Sequence, residues 1–309
     1  MAELQTLQYD TEDMYPSRLY AKPVSIPRQD PVVYSKATDH APLTAAQIAE
    51  YEKKGFLFLD DIFTQYELDE MISEMHRMRE DSSLKQREES ITEQESGAVR
   101  SIFSLHTLSD VFAKLAQDPR LVAIAEYLLG ERVYIHQSRL NYKPGFSGKE
   151  FYWHSDFETW HAEDGMPRMR ALSMSIALTK NESQNGPLML IPGSHKRYVS
   201  CVGATPKNHY LFSLKKQEFG VPDEQSLTQM VREGGIETAT GPLGRITLFD
   251  CNTMHGSNGN ITPYPRSNLF FVFNGLSNRV VEPFSSTETR PEYISARDSI
   301  KPLETVMFN

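Results

Sequence analysis

Strand-like segments separated by Gly, Pro and Asn dominate the second half of the chain and limit the folds open to it. They cover residues 169–179, 188–191, 245–249 and 269–273. Helical periodicity lies earlier, where Thr44 and Thr64 each begin a capping-box pattern and Gly55 and Gly130 follow as stop signals. Helices first and many strands afterwards favour an antiparallel barrel or jelly roll buttressed by N-terminal helices.

The length of 309 residues is compatible with one large domain or two ordinary ones, and we expect one. Within a single domain spanning residues 1–309 we distinguish four parts by their composition and patterning. They are an N-terminal arm (1–41), a helical buttress (42–130), a jelly-roll core (131–280) and a C-terminal tail (281–309).

Charge and cysteine usage restrict the classes of partner and compartment. The chain has 41 acidic and 32 basic residues, a formal charge of -9, so we expect no nucleic-acid partner. It has two cysteines, Cys201 and Cys251, and no apolar stretch typical of a signal peptide or a membrane span. These features predict a cytoplasmic protein with no membrane partner.

A His-x-Asp pair, His154 and Asp156, lies within the aromatic-rich run at residues 151–161. In an extended strand, residues two apart face the same side, so both side chains could bind one metal ion. A second histidine, His255, follows a strand-like run much later, and Arg266 comes eleven positions after it. Two histidines and one carboxylate on one face leave coordination positions open, as in non-haem Fe(II) oxygenases.

Further motifs follow in a recognisable order. A Pro-Gly-Ser-His turn ends the segment 186–195, and a strand-like segment at 244–250 precedes His255. With the His-x-Asp pair, the distal histidine and the later arginine, residues 130–280 resemble the phytanoyl-CoA dioxygenase-like family of Fe(II)/2-oxoglutarate oxygenases. The resemblance implies a double-stranded β-helix (jelly roll, cupin-like) and the use of Fe(II), 2-oxoglutarate and O2.

The segments 136–145 and 153–167 are similar to one branch of this family, whose members hydroxylate the compatible solute ectoine to 5-hydroxyectoine under osmotic stress. This resemblance implies a small-molecule substrate, ectoine, and we expect a homodimer. It also implies a set of site residues, to which Arg139 could contribute. They are His154, Asp156 and His255 as iron ligands, Asn141, Ser257 and Arg266 around 2-oxoglutarate, and Gln137, Trp160 and Phe273 around ectoine.

The residue chemistry agrees with these roles. The planar guanidinium of Arg266 suits the distal carboxylate of 2-oxoglutarate, because it makes two charge-assisted hydrogen bonds. Ectoine carries a delocalised amidinium ring and a carboxylate, so the aromatic face of Trp160 can hold the cation.

Three classes of function compete at this point: an iron oxygenase, a non-catalytic metal-binding jelly roll, and a binding module without metal. A metal-storage role needs no anion anchor, and Arg266 therefore argues against it. The carboxylate of Asp156 favours hydroxylation over halogenation, since related halogenases have a small residue there. Within the oxygenases, the alternative substrate is another small zwitterion such as a free amino acid.

Overall fold

The computed structural model of the chain describes residues 13–36, 40–92, 99–206, 220–298 and 300–308. Residues 1–12 of the predicted arm therefore lie outside the described residues. None of the described helices is long and apolar enough to cross a membrane. The helices are α1 (Ala45–Lys54), α2 (Gln65–Glu80), α3 (Leu105–Leu108), α4 (Asp110–Ala116), α5 (Pro119–Leu129), α6 (Asp156–Thr159), which continues into a π-helical turn (Trp160–Asp164), and α7 (Glu224–Gly234).

The strands alternate with these helices early in the chain and predominate later. They are β1 (Ser25–Pro27), β2 (Phe56–Leu59), β3 (Ser90–Thr92), β4 (Val99–Phe103), β5 (Val133–Lys143), β6 (Phe151–His154), β7 (Ala171–Ala177), β8 (Leu188–Leu190), β9 (Arg197–Val199), β10 (Glu237–Thr238), β11 (Ile246–Asp250), β12 (His255–Ser257) and β13 (Arg266–Gly275).

The helix boundaries follow from the capping residues. Thr44 and Thr64 each accept a hydrogen bond from the third residue of the helix that follows, and both predicted capping boxes are confirmed. Gly55 and Gly130 adopt left-handed conformations, with φ of 85° and 69°, and end α1 and α5. The long helix α2 buries its methionines in the core, among them Met71. These helices cover one side of the barrel.

Two antiparallel sheets form the barrel. The larger sheet has the strand order β2-β11-β7-β13-β5-β4-β3, and the smaller one β10-β8-β12-β6. Side chains from both sheets share one apolar cluster, so the sheets pack face to face; examples are Phe249 and Phe270 from the larger and Leu190 from the smaller. The predicted jelly roll with N-terminal helices is confirmed.

Alternation along β13 separates the two faces of the large sheet. Leu269, Phe271 and Phe273 pack with residues of α2, α4 and α5 in the main core, while Phe270 points between the sheets. Strand β5 contains a bulge where it pairs with β13, because Val272 opposes Gln137 and Phe273 opposes Ile135. The extra residue, His136, shifts the alternation, so the residues after it that face the barrel interior have odd numbers.

The arm and the tail pack against the barrel. In the arm, β1 pairs with β9, and the Tyr15 side chain is fully buried against Phe157 and Tyr198. The tail runs along the helical segment 156–164 and the start of β5, where the Ala296 amide donates to the His136 carbonyl. The described parts of the arm and the tail therefore line the part of the barrel that holds Trp160.

Candidate active site

Three predicted metal ligands meet at one point between the sheets. His154 is the last residue of β6, Asp156 the first residue of α6 and His255 the first residue of β12. Strands β6 and β12 pair antiparallel with His255 directly opposite His154, and their imidazole centroids are 4.2 Å apart. One ligand atom of each residue lies within 4.8 Å of the others, and all three residues are buried.

The local geometry of the His-x-Asp pair differs from the strand that we expected. The strand ends at His154, and Ser155 is the N-cap of α6, where its hydroxyl accepts a hydrogen bond from the Glu158 amide. Ser155 is itself buried and donates to Asn252 (3.1 Å) rather than facing outward. A strand-to-helix turn, not strand alternation, therefore brings His154 and Asp156 together.

Hydrogen bonds orient both imidazoles toward the carboxylate. The Nδ1 atoms of His154 and His255 lie 2.8 Å and 2.9 Å from the carbonyl oxygens of Tyr152 and Thr253, so each Nδ1 carries the proton and donates. The two Nε2 atoms then present lone pairs, 3.7 Å and 3.9 Å from Oδ1 of Asp156. Such backbone contacts fix the tautomer that metal binding needs.

The protonation states also suit a metal site. Burial and the neighbouring His255 lower the pKa of His154 to about 3. Burial raises the pKa of Asp156, but His255, Arg139 and His154 outweigh it and hold the pKa below its ordinary value. Ligands that need no deprotonation and that leave one side open fit Fe(II) in a two-histidine, one-carboxylate site.

A cavity adjoins the two histidines and carries strong positive charge. No Asp or Glu of the described chain lines it. Arg266, the first residue of β13, is buried, and its Nε and Nη1 have no hydrogen-bond partner among the described residues. Burial lowers the pKa of this guanidinium to about 10. A buried, unpaired cation is costly, so the cavity is suited to an anion. Its cationic lining residues are Arg100, Arg139, Lys143, Lys149 and Arg266.

Lys143 is a cavity residue that the sequence analysis missed. Its ammonium donates to the Ser257 hydroxyl (2.9 Å) and to the Asn258 carbonyl. Burial, followed by the charges of Arg266 and Arg100, lowers its pKa to about 6. The signal was present in the sequence, because Lys143 lies two positions after Asn141 on β5 and therefore on the same face.

The structure brings Asn141 and Ser257 to this cavity as well. Asn141 accepts a hydrogen bond from Ser101 (2.9 Å) through its side-chain oxygen. Its amide nitrogen is therefore directed away from that contact. Together with Lys143 and Arg266, these residues surround the cavity with hydrogen-bond donors.

Gln137 and Trp160 lie beside the cavity rather than among its described lining residues. The side-chain oxygen of Gln137 accepts from Arg139 (2.7 Å), and Arg139 lines the cavity. Trp160 is 2% exposed and begins the π-helical turn, and its ring packs edge-on against His136 at 5.3 Å. The bulge at His136 is what places Gln137 on this side of β5.

The prediction for Phe273 is wrong in the structure. Phe273 points away from the cavity into the core beneath the helices, in contact with Phe271. Phe270 lines the cavity instead, with the Arg139 guanidinium carbon 4.8 Å from its ring centroid. Residues three apart on a strand point to opposite faces, so Phe273 belongs to the core when Phe270 lines the cavity.

Comparison with known proteins agrees with this geometry. The family model of phytanoyl-CoA dioxygenase (PhyH) matches residues 51–268. An ectoine dioxygenase from Stutzerimonas stutzeri is 53% identical over 292 residues, covering 94% of this chain and 97% of that protein. One from Halomonas elongata is 50% identical over 287 residues, covering 92% and 86% respectively.

Solved structures extend the likeness to three dimensions. The crystal structure of EctD from S. alaskensis with 2-oxoglutarate and 5-hydroxyectoine has a TM-score of 0.88 and 48% identity, over 96% of this chain and 99% of that one. The same protein with bound Fe has a TM-score of 0.87. The chain therefore belongs to the phytanoyl-CoA dioxygenase family and, within it, is similar to the ectoine dioxygenases.

Proposed function

We propose that this protein is an Fe(II)- and 2-oxoglutarate-dependent dioxygenase that hydroxylates ectoine to 5-hydroxyectoine in compatible-solute metabolism. The observation that carries the proposal is the buried triad of His154, Asp156 and His255 beside a cavity whose guanidinium, Arg266, has unpartnered nitrogens. In the balanced reaction, O2 supplies one oxygen atom to the substrate and one to succinate, with release of CO2.

The triad would hold the iron. Bound Fe(II) supplies the redox chemistry that activates dioxygen together with the 2-oxo acid. The three residues leave one side of the ion open, and the imidazoles are already in the tautomer that presents Nε2. Ser173 lies 3.4 Å from the second carboxylate oxygen of Asp156 and supports its orientation. The chain thus offers a preformed site for the metal.

The cationic cavity would bind 2-oxoglutarate. The Arg266 guanidinium is placed to donate charge-assisted hydrogen bonds to the distal carboxylate, since its Nε and Nη1 have no partner among the described residues. Lys143 and Ser257 form a hydrogen-bonded pair beside it, and Asn141 lies on the same strand as Lys143. The cost of burying Arg266 is present in the free protein and is offset only when the dicarboxylate is bound, which favours a dianion over a neutral ligand.

Ectoine would bind beside the triad, among Gln137, Arg139, Trp160 and Phe270. The Arg139 guanidinium can pair with the ectoine carboxylate, since its Nε has no partner and its Nη1 is held by Gln137. The indole of Trp160 can face the amidinium, at roughly 0.5–2 kcal/mol. Phe270 replaces Phe273 in this assignment.

The experiment is anaerobic reconstitution with Fe(II), followed by O2, 2-oxoglutarate and ectoine. Succinate and hydroxylated product are quantified together, and a gain of one oxygen on ectoine by mass is the expected result. Gln137→Ala should still release succinate slowly while forming little hydroxyectoine, because it disturbs the substrate contacts of Gln137 and Arg139 and leaves the iron triad and Arg266 in place. Turnover of a free amino acid much faster than ectoine would refute the substrate assignment and leave the oxygenase assignment intact.

We further propose a homodimer that works in the cytoplasm. Both cysteines are buried and free, which is compatible with a reducing compartment. Sedimentation equilibrium at several concentrations tests the dimer, and a monomer throughout that range would refute it.

A further inference from the structure

The helical segment 156–164 carries Asp156 at its start, Trp160 in its middle and a buried ion pair at its end. The Arg290 guanidinium donates to both carboxylate oxygens of Asp164, from Nε at 2.7 Å and from Nη2 at 2.5 Å. The two side chains are 8% and 0% exposed. Arg297 adds a hydrogen bond to the Asp164 carbonyl (2.6 Å). The C-terminal tail thereby holds the end of the segment.

The N-terminal arm holds the same segment from another side. Arg18 donates to both carboxylate oxygens of Glu158 (3.0 and 2.8 Å) and to Glu163 (2.6 Å). Ser17 donates to Glu158 as well (2.6 Å). The Arg18, Glu158 and Glu163 side chains are at most 3% exposed. Trp160 therefore stands between two anchored ends.

The tail also reaches the second predicted ectoine contact. The Ile294 carbonyl, four residues after Arg290, accepts a hydrogen bond from the Gln137 amide (2.7 Å). Two residues further along, the Ala296 amide donates to the His136 carbonyl (2.9 Å). The tail segment that starts at Arg290 therefore contacts both Gln137 and the strand residue on which Trp160 packs.

These ion pairs are better explained by a role in orienting the segment 156–164 than by a contribution to the stability of the fold. A buried ion pair adds little net stability compared with apolar residues of the same volume, but a bidentate guanidinium–carboxylate pair fixes direction as well as distance. Burial raises the pKa of Asp164, but Arg290 outweighs it, so the carboxylate stays charged and paired. The segment also contains a π-helical turn, a rare conformation found mostly at functional sites.

We propose that Arg290 is a positioning residue for the substrate: through Asp164 and through the tail that follows it, Arg290 fixes Trp160 and Gln137 relative to the iron ligand Asp156. The inference rests on the proposed ectoine hydroxylation. Arg290 acts at a distance and touches no reacting atom.

The test compares Arg290→Gln, Asp164→Asn and the double variant. Each single variant should lower kcat/KM for ectoine on the order of tenfold and raise the ratio of succinate to hydroxyectoine, because small displacements of positioning groups are costly. The KM for 2-oxoglutarate and the iron content should stay at wild-type values. The double variant should be no worse than either single one, since both remove the same interaction.

Arg120→Gln provides a matched control. Arg120 pairs with Asp118 and Glu67 in the helical layer, away from the site, so its loss should lower the melting temperature and leave both ectoine kinetics and coupling unchanged. If Arg290→Gln behaves like Arg120→Gln, the positioning role is refuted. Should Arg290→Gln fail to fold, Arg290→Lys, which keeps the charge without the planar fork, carries the same expectation.

A readout without turnover separates this inference from the proposed function. The chain has two tryptophans, so a Trp153→Phe background reports Trp160 alone. Adding Arg290→Gln should shift its emission to the red and lower its anisotropy, as expected for a loosened indole. Unchanged emission would refute the positioning role even in a protein active on ectoine, whereas absence of ectoine turnover in the wild type would refute the proposed function alone.

Discussion

Replacing Arg266 by Gln should separate function from stability, because this residue is buried and its Nε and Nη1 have no partner in the part of the chain that the structure describes. In the complex, the charge-assisted hydrogen bonds from the Arg266 guanidinium to the distal carboxylate would be lost. The combined loss is about 2–4 kcal/mol. That corresponds to a rise in the 2-oxoglutarate requirement of roughly 30- to 1000-fold.

The stability of the ligand-free protein should not fall when Arg266 is replaced. After burial, Arg266 is the largest cause that lowers the pKa of Lys143, so its removal raises that pKa and also takes away a buried guanidinium with unpartnered nitrogens. The melting temperature of the free variant should therefore be no lower than that of the wild type. Lys143 remains in the cavity and keeps part of the attraction for the dianion.

The assay measures succinate release at saturating ectoine over a range of 2-oxoglutarate concentrations, beside iron content and thermal melting. Arg266→Lys is the matched variant, since it keeps the charge and loses the planar fork, and it should recover only part of the affinity. An unchanged KM for 2-oxoglutarate in Arg266→Gln would move Arg266 out of the binding site. A large fall in melting temperature would show that Arg266 is a structural residue.

Four further predictions follow from the same geometry. Asp156→Ala should abolish iron binding and turnover while the circular dichroism spectrum is retained. A variant that binds one iron per chain and turns over at the wild-type rate would contradict the ligand assignment. The pKa of Lys143 is about 6 in the folded protein, against an ordinary value of 10.5, so between these pH values the folded state binds fewer protons than the unfolded state. Stability of the ligand-free protein should therefore rise with pH across that window, and 2-oxoglutarate binding at pH 7.5–8 should take up a proton, measurable by calorimetry in buffers of different ionisation enthalpy. Trp160→Phe should keep part of the ectoine affinity and Trp160→Ala less, so equal affinities in ectoine titrations would remove the cation–π contact. Phe270→Leu and Phe273→Leu should each cost less than about 1.5 kcal/mol of stability, but only Phe270→Leu should raise the KM for ectoine.

Local signals in the sequence predicted much of the fold. Thr44 and Thr64 cap helices, Gly55 and Gly130 end them, and the alternation in β5 and β13 defines the large sheet. These features depend on neighbours in sequence, so the chain itself carries the information. The iron triad was predictable for a different reason, since residue types and their order along the chain matched a known family.

Features that depend on strand pairing and on longer-range packing were not predictable from the same signals. The His-x-Asp pair spans a strand end and a helix start, although its sequence is compatible with a continued strand. The choice between Phe270 and Phe273 depends on which face of β13 meets the second sheet. The buried pair of Arg290 and Asp164 joins residues 126 positions apart, and neither residue stands out in the sequence.

The placement of charge in the folded chain explains how an acidic protein can bind a dianion. The net charge of -9 opposes a polyanionic partner at long range, but a small ligand senses the local field inside the cavity. There, burial lowers the pKa of both Lys143 and Arg266, and the charges of Arg266 and Arg100 lower that of Lys143 further. Positive charge in this cavity is therefore costly before binding, and a dicarboxylate offsets that cost while it makes contacts. Binding of this kind stabilises the folded state, so 2-oxoglutarate should raise the melting temperature of the protein more than an uncharged analogue does.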